Sequence, residues 1–407
     1  MKNFLRFTAV MMTVTVAGVG MAVYAKRAEL HRIYVLFNLF EPDRIVENFR
    51  TMDQITETVP VHRGDEVWAL EAGTPMELPE SFPFGGETMS TQEFIDYTNT
   101  TGLMVLHDDR VVFEKYYRGE TAETRHISWS VAKSFTSALI GIALEQGQID
   151  DIMDPVDKYA PSLAGCGYQG VPLKHVLQMA SGIEFTEDYD DFFSDINRMG
   201  REIFAFNVPV EDFVRSLKNG RPSGTVHHYV SMDTQVLAMV LRGATKKSIA
   251  ELTETQLWKP IGMESDAYWM VDAKGRALAF GCLNAVLRDY ARFGMLYLHE
   301  GKRGDTQVVP ADWVRASTTP QDDYVMPGDD LTSLDDLGYG YQWWVPVESD
   351  GDYFAIGVYN QFIYVSPKRR VVIAKTSANA HYLDDGMISE SQAVQFFRAV
   401  AKVAAGE

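Results

Sequence analysis

The chain has 407 residues, of which 46% are hydrophobic and 23% are charged, and its formal net charge at pH 7 is −19. This length suits one large domain or two interleaved subdomains with an ordinary apolar core. The strong negative charge argues against nucleic-acid binding, which needs a basic surface, and is compatible with simple solubility.

The N-terminal segment contains an uncharged stretch of 19 residues from Phe7 to Ala25, with basic residues on both sides. A stretch of this length just spans a bilayer and also has the layout of a signal peptide. The alternative is a buried N-terminal helix of a cytoplasmic protein. We expect residues 1–27 to be a signal peptide or membrane anchor, so that the protein is exported, and periplasmic or held at the membrane through residues 7–25.

After a lead segment of poor regularity at 28–90, the pattern predicts strands first, then helices, then strands again. Two strands are expected at 102–107 and 110–117, and a helix from Ser130 to Gln146. The later elements are a mostly helical region at 150–270, a helix at 288–298, strands at 339–346, 353–357, 361–366 and 371–376, and an amphipathic helix at 389–403.

The strongest chemical signal is Ser130-Val131-Ala132-Lys133, the one Ser-x-x-Lys in the chain, at the start of an apolar helical pattern. Residues three apart share a helix face, so the Lys133 amine can lie beside the Ser130 hydroxyl. A serine becomes a good nucleophile when a base takes its proton, and a lysine is such a base when burial lowers its pKa. The four residues alone equally fit a surface lysine after a serine N-cap.

A second motif favours the interpretation of Ser130 and Lys133 as a nucleophile and its base. Tyr229-Val230-Ser231 follows a Pro/Gly turn and opens another apolar helix. Serine hydrolases with a Ser-x-x-Lys motif place a Tyr-x-Asn or Tyr-x-Ser on a loop that faces the nucleophile. A phenol beside the lysine can relay the proton to the leaving group. Taken alone, a tyrosine ahead of a helix is more often a packing residue.

Together these motifs resemble the serine β-lactamase and penicillin-binding-protein superfamily, in its class-C-like branch. Within that branch the chain is most similar to the 6-aminohexanoate-dimer hydrolases, from about residue 40 to the C-terminus. Several blocks in the right order are far more specific than any one motif. The blocks are V-E-N-F-R-T-M-D (46–53), S-W-S-V-A-K-S-F (128–135), V-L-Q-M-A-S-G-I (176–183), E-D-Y (187–189) and R-D-Y-A-R-F-G (288–294).

The resemblance implies an α+β fold of the β-lactamase/transpeptidase type. Such a fold has an antiparallel sheet flanked by helices, an inserted all-helical subdomain, and the active site at their junction. We therefore expect a hydrolase domain at 91–405, with the sheet subdomain at about 91–150 and 271–405 and the helical subdomain at about 151–270.

The third motif departs from the superfamily pattern, which has Lys-Thr-Gly or His-x-Gly on a strand lining the site. The matching stretch here is Ala355-Ile356-Gly357. The glycine still permits close backbone approach to a substrate, but the cation that commonly meets a substrate carboxylate is absent. Lys375 begins a Lys-Thr-Ser that is not taken as the motif, because further strands should follow the motif strand. We expect Lys375 at a solvated strand end.

The resemblance also implies roles for individual residues. Ser130 attacks a carbonyl, Lys133 and Tyr229 handle the proton, and the backbone N–H groups of Ser130 and Val358 hold the oxyanion. The candidate substrate contacts are Asp188, Tyr189, Gly357, Asn360 and Gln361. The alternative role is a solvated acidic loop for Asp188 and Tyr189, and a strand turn for Asn360 and Gln361.

No metal or cofactor is expected. Cys166 and Cys282 lie far apart and lack C-x-x-C spacing or histidine companions, so neither a disulfide framework nor a zinc site is predicted. The chain also has no phosphate-binding glycine loop and no G-x-S-x-G elbow.

These observations favour a serine hydrolase that cleaves a small-molecule amide or ester through an acyl-enzyme on Ser130. A D-Ala-D-Ala carboxypeptidase or β-lactamase is a second possibility, supported by the expected export and opposed by Ala355. A third is a non-catalytic cell-envelope binding protein on the same fold, which the complete Ser, Lys and Tyr set opposes.

Overall fold

A computed structural model describes residues 33–328, 336–384 and 386–407, and the predicted signal peptide or anchor lies outside them. In the described residues the strands fall mainly at the two ends of the chain. They are β1 (Thr58–Val61), β2 (Glu71–Ala72), β3 (Ser81–Phe84), β4 (Glu87–Ser90), β5 (Thr100–His107), β6 (Arg110–Tyr116), β7 (Arg125–Ile127), β8 (Ala267–Met270), β9 (Leu283–Val286), β10 (Lys302–Arg303), β11 (Thr306–Gln307), β12 (Gly338–Tyr339), β13 (Trp344–Val345), β14 (Tyr353–Gly357), β15 (Gln361–Ser366) and β16 (Val371–Ser377).

The helices fall mainly between these groups of strands. A described helical segment at 33–37 precedes them. The α-helices are Ile45–Arg50, Met52–Ile55, Thr91–Tyr97, Ala132–Glu145, Val156–Tyr159, Leu173–Leu177, Asp195–Gly200, Val210–Ser216, Ser231–Thr245, Ile249–Leu252, Lys259–Ile261, Leu287–Leu298, Ala311–Ser317 and Ile388–Ala405, with 3-10 turns at Trp129–Val131, Pro161–Leu163 and Asp323–Val325 and π-helical turns at Arg201–Ala205 and Thr253–Trp258.

The main sheet has eight strands in the order β12-β13-β14-β15-β16-β5-β6-β2. Its neighbouring strands pair antiparallel, except that β2 pairs parallel to β6. A smaller antiparallel sheet has the order β1-β8-β9-β7, and β3-β4 and β10-β11 form separate pairs. β7 belongs to the small sheet and leads directly to the turn that carries Ser130, and this turn contacts β14 and β15 of the main sheet, so Ser130 lies between the two sheets.

Both faces of the main sheet are covered, and β15 shows how the sequence achieves this. All six residues of β15 are buried, and successive side chains point to opposite faces of a strand. Ile363 packs in the core cluster that contains the helix Leu287–Leu298, whereas Phe362 packs in the cluster of the C-terminal helix Ile388–Ala405. The sheet is therefore a central layer between helices, as an α+β domain requires.

Most predicted elements match the structure to within a few residues. The region 150–270 consists mostly of helices and loops, and it ends in one short strand, β8, whose four residues are all buried and so lack the alternation by which strands are recognised. One prediction is wrong. The strand expected at 339–346 is two short strands, β12 and β13, because Gln342 between them has a positive φ of 64°.

The described part of the lead segment, residues 33–90, is integral to the domain. It supplies β1 to the small sheet and β2 to the main sheet, and Ile45, Phe49 and Met52 are almost fully buried. Within the described ranges there is no helix with the length and apolarity needed to cross a membrane.

Candidate active site

Ser130 lies at the start of the helix Ala132–Glu145, within a 3-10 turn formed by Trp129–Val131. Trp129 has a φ of +43°, a left-handed conformation that costs a bulky residue about 1–3 kcal/mol. An aromatic cluster holds it there, with ring centroids 5.9 Å from Phe40, 5.3 Å from Phe49 and 6.2 Å from Tyr359. The packing therefore fixes the backbone immediately before Ser130.

Lys133 lies one turn along the helix, with its amine beside Ser130. Its Nζ is 2.9 Å from Ser130 Oγ and 3.2 Å from Ser231 Oγ, and it donates to the carbonyl of Phe280. The side chain is 1% exposed. Burial lowers the pKa of Lys133 to about 8, although the charge of Glu187 acts in the opposite direction. About one tenth of the amine is therefore neutral at pH 7, far more than for an ordinary lysine, and this neutral form can accept a proton.

Tyr229 completes the group of side chains around Ser130. Its side chain is hydrogen-bonded to Ser130, and Lys133 Nζ lies 5.2 Å from its ring centroid. The ring stacks on Trp344 with centroids 5.4 Å apart. Burial raises the pKa of Tyr229 well above its ordinary value, and the Glu187 charge adds to this effect. The phenol is consequently protonated at neutral pH and is a donor, not a base.

Glu187 organises the residues behind this group, and the sequence did not single it out. Its carboxylate accepts hydrogen bonds from the Ser231 N–H at 3.0 Å, the Ser231 hydroxyl at 2.5 Å and the Tyr189 hydroxyl at 2.8 Å. Ser231 thus links Glu187 to the Lys133 amine. The E-D-Y block contains Glu187, but nothing in the sequence separates it from its acidic neighbours.

The β14–β15 hairpin brings the third motif against the turn that carries Ser130. A Cβ on Gly357 would lie 2.5 Å from the Ser128 carbonyl oxygen and 3.0 Å from the Ser130 nitrogen. Only glycine therefore permits this contact between the strand and the turn that carries Ser130. Val358 follows directly and lines the same cavity as Ser130.

The buried side chain of Gln361 holds the β14–β15 hairpin in place through hydrogen bonds to the backbone. Its side chain is 2% exposed and donates to the carbonyls of Tyr359 at 3.0 Å and Ser377 at 2.7 Å, while accepting from the Ser377 N–H at 3.0 Å. These bonds satisfy the amide within the protein. The structure thus places Gln361 as a support for the turn that carries Val358.

Asn360 and Lys375 are also buried beside this hairpin. Asn360 has a positive φ of 69°, and its side-chain oxygen accepts from Asn379 at 2.8 Å, which is a turn role. The expectation that Lys375 is solvated is wrong. β16 lies between β15 and β5, so Lys375 is 1% exposed, its amine donates to Ser377 Oγ, and burial lowers its pKa well below the ordinary value.

The predicted contacts Asp188 and Tyr189 lie in different surroundings. The exposed carboxylate of Asp188 accepts from the backbone N–H groups of Asp190 at 2.9 Å and Asp191 at 3.2 Å, so it stabilises its own loop. Tyr189 instead lines the cavity beside Ser130, with its hydroxyl on Glu187.

A cavity of about 430 Å³ opens at Ser130. Its wall is mostly aliphatic and aromatic, and comes from the N-terminal residues 36–40, the loop and helices at 189–205, and the β14–β15 turn. Of the described residues that line it, Arg201 is the one basic side chain and Asp190 the one acidic side chain. Such a wall suits an apolar ligand group placed beside Ser130.

Comparison with known proteins decides the family. The Beta-lactamase family model matches residues 96–391. The chain belongs to the Beta-lactamase family. It is 29% identical over 338 residues to the 6-aminohexanoate-dimer hydrolase of Paenarthrobacter ureafaciens, an alignment that covers 81% of this chain and 84% of that protein. The resemblance inferred from the motifs is thereby confirmed, and the chain is a serine hydrolase.

Solved structures confirm the predicted β-lactamase/transpeptidase-like fold. One from Bacillus anthracis, provisionally described as a 6-aminohexanoate-dimer hydrolase, superposes with a TM-score of 0.79 at 24% identity, covering 90% of this chain and 95% of that one. The octameric penicillin-binding protein homologue from Pyrococcus abyssi gives a TM-score of 0.59 at 20% identity, with 76% of each chain covered.

We predict that Gly357→Ala strongly impairs this Beta-lactamase family enzyme. The new methyl group would press on the backbone of Ser128 and Ser130, and relief requires the hairpin to move. If the Val358 N–H moves away from an oxyanion position, the rate falls by about 10²–10³-fold. The strain also lowers the free energy of unfolding by about 1–3 kcal/mol. Steady-state kinetics and urea denaturation measure the two effects.

Gly64→Ala is the matched control, because its added Cβ would meet Lys259 at an ordinary 3.4 Å. Gly64→Ala should change neither the catalytic rate nor the free energy of unfolding appreciably. Full activity of Gly357→Ala would contradict the assignment of this hairpin to the catalytic site.

Within residues 33–328, 336–384 and 386–407, the His, Cys, Asp and Glu side chains form no group of three or more that could hold a metal ion. Cys166 and Cys282 are free thiols, and Cys282 is fully buried.

Proposed function

We propose that this protein hydrolyses a small amide or ester with an aliphatic acyl portion, through an acyl-enzyme on Ser130. The observation that carries the proposal is the buried Lys133 amine, 2.9 Å from Ser130 Oγ at the end of a largely apolar cavity. The relatives described as 6-aminohexanoate-dimer hydrolases favour an amide with an aliphatic chain.

The proposed reaction has two halves. The neutral Lys133 amine takes the Ser130 proton as Oγ attacks the carbonyl, and the backbone N–H groups of Ser130 and Val358 stabilise the negative charge on the carbonyl oxygen. The protonated amine returns a proton through the Tyr229 phenol to the leaving amine or alcohol. Water then attacks the acyl-enzyme while Lys133 accepts its proton, the bond between the acyl group and Ser130 Oγ breaks, and Lys133 returns the proton to Oγ as the acid leaves.

Two features disfavour a substrate that, like a β-lactam or a D-Ala-D-Ala peptide, is held by its carboxylate on the third-motif strand. Ala355 is 1% exposed and occupies the position at which the superfamily commonly carries a cation. Arg201, the basic residue of the cavity wall, donates to the Phe192 carbonyl and lies over the Phe192 ring at 4.0 Å. A substrate carboxylate therefore lacks a dedicated partner on the β14 strand.

A substrate series tests the proposal. We expect p-nitrophenyl esters and the linear 6-aminohexanoate dimer to be hydrolysed, and D-Ala-D-Ala peptides to be turned over far more slowly. The measurement is kcat/KM for each compound, with intact mass spectrometry to trap the acyl-enzyme. Stable penicillin acylation of Ser130 would instead favour the penicillin-binding class, and no acylation by any probe would favour a non-catalytic binding protein.

We also propose that the chain is exported and acts in the periplasm or at the membrane. The support is the uncharged stretch from Phe7 to Ala25, whose 19 residues approach the length of a bilayer span. Alkaline extraction of membranes from cells that make the full chain separates an anchored protein from a released one.

A further inference from the structure

The mouth of the active-site cavity carries an unusual concentration of exposed aromatic side chains. Every strongly exposed phenylalanine of the described chain lies there, and we call these five residues the apolar collar. Their exposed fractions are 59% for Phe37, 44% for Phe40, 56% for Phe192, 84% for Phe193 and 68% for Phe206.

Contacts place the collar around one opening. Phe37, Phe40 and Phe192 all line the cavity that contains Ser130. Phe193 packs edge-on against Phe192 with ring centroids 5.3 Å apart, and Phe206 directly follows two further lining residues. The collar therefore combines three separate segments of the chain, and its apolar surface continues inward to the nucleophile.

Exposed apolar surface of this kind marks a site of contact with a membrane or with another protein. The sequence indicates which of the two. The uncharged stretch ends at Ala25, and the described chain begins at Ile33. Eight residues reach at most about 28 Å even when fully extended. If the stretch spans a bilayer, the wall formed by Phe37 and Phe40 is therefore held close to the membrane surface.

We propose that the apolar collar inserts into the surface of a lipid bilayer and admits a membrane-borne amphiphile, whose acyl chain enters the cavity and whose carbonyl reaches Ser130. Aromatic and aliphatic side chains at such a surface sit at the boundary between headgroups and acyl chains. The exposed Asp190 and Asp191 beside Phe192 favour a zwitterionic surface over an anionic one. This inference rests on the hydrolase function proposed above and specifies its substrate class.

The test uses the full chain reconstituted in phosphatidylcholine vesicles, so that every variant keeps the same N-terminal segment. Two substrates are compared: water-soluble p-nitrophenyl acetate and vesicle-borne p-nitrophenyl dodecanoate. The collar variant is Phe193→Ser/Phe206→Ser, because neither side chain lines the cavity. The matched control is Met153→Ser/Val403→Ser, which removes two exposed apolar side chains outside the collar.

We expect the collar variant to lose about tenfold or more of its rate on the dodecanoate ester while its rate on the acetate stays near that of the parent. The control should keep both rates. Equal dodecanoate rates in the parent and the collar variant would overturn the inference, and would fit a collar covered by the chain's own N-terminal segment. A parallel loss on both esters would overturn it too. If the parent cleaves neither ester, the proposed hydrolase function itself fails.

Discussion

Replacing Ser130 with alanine is expected to reduce kcat for p-nitrophenyl esters by about 10⁴–10⁶-fold. The Ser130 hydroxyl is the group that Lys133 and Tyr229 both contact, so its removal leaves the base and the donor with no nucleophile between them. The substitution removes one oxygen from a half-exposed side chain, and the fold should persist. Stopped-flow and steady-state kinetics measure the loss, and intact mass after fluorophosphonate treatment should show no adduct.

Ser137→Ala is the control for this experiment. Ser137 lies on the same helix, and its hydroxyl donates to the Tyr341 carbonyl at 2.7 Å. Loss of that buried bond should cost about 1 kcal/mol of stability and leave the ester kinetics nearly unchanged. A fluorophosphonate adduct that survives Ser130→Ala would place the nucleophile elsewhere and contradict the site described above.

The sequence predicted the part of the site that local geometry controls. Ser130 and Lys133 are three residues apart in one helical segment, so their proximity follows from the backbone alone. The groups around the Lys133 amine come from distant segments. Ser231 and Phe280 accept hydrogen bonds from it, and Glu187 is bonded to Ser231. One of these contacts is made through a backbone carbonyl, which any residue type provides. No residue pattern could therefore have indicated it.

The difference between local contacts and contacts from distant segments also explains which predictions were wrong. The prediction that Lys375 is solvated rests on its place near the end of the predicted strand 371–376, outside the third motif. Its real position depends on strand order, which puts β16 in the middle of the sheet. Phe40 likewise carries no sequence signal of a role in the site. Only the tertiary fold stacks its ring on Tyr359, with ring centroids 4.9 Å apart, beside the turn that carries Ser130.

The second large effect is expected for Lys133. Lys133→Arg and Lys133→Met should each lower kcat/KM by about 10³–10⁵-fold. An arginine stays protonated at every accessible pH and so cannot take the Ser130 proton, while methionine fills similar space without any base. Lys133→Arg therefore separates loss of the base from loss of volume. Ester kinetics measure both variants, with circular dichroism to show that each is folded.

The pH dependence of the parent tests the same assignment independently. The reactive form is the neutral amine, and since burial lowers the pKa of Lys133 to about 8, kcat/KM should rise with pH and level off above a midpoint near 8. The Glu187 carboxylate raises that pKa, so Glu187→Gln should move the midpoint to lower pH. An activity that does not change across this range would show that another group is the base. An unchanged midpoint would show that Glu187 acts mainly by positioning Ser231, and a shift to higher pH would contradict the conclusion that its charge raises the pKa of Lys133.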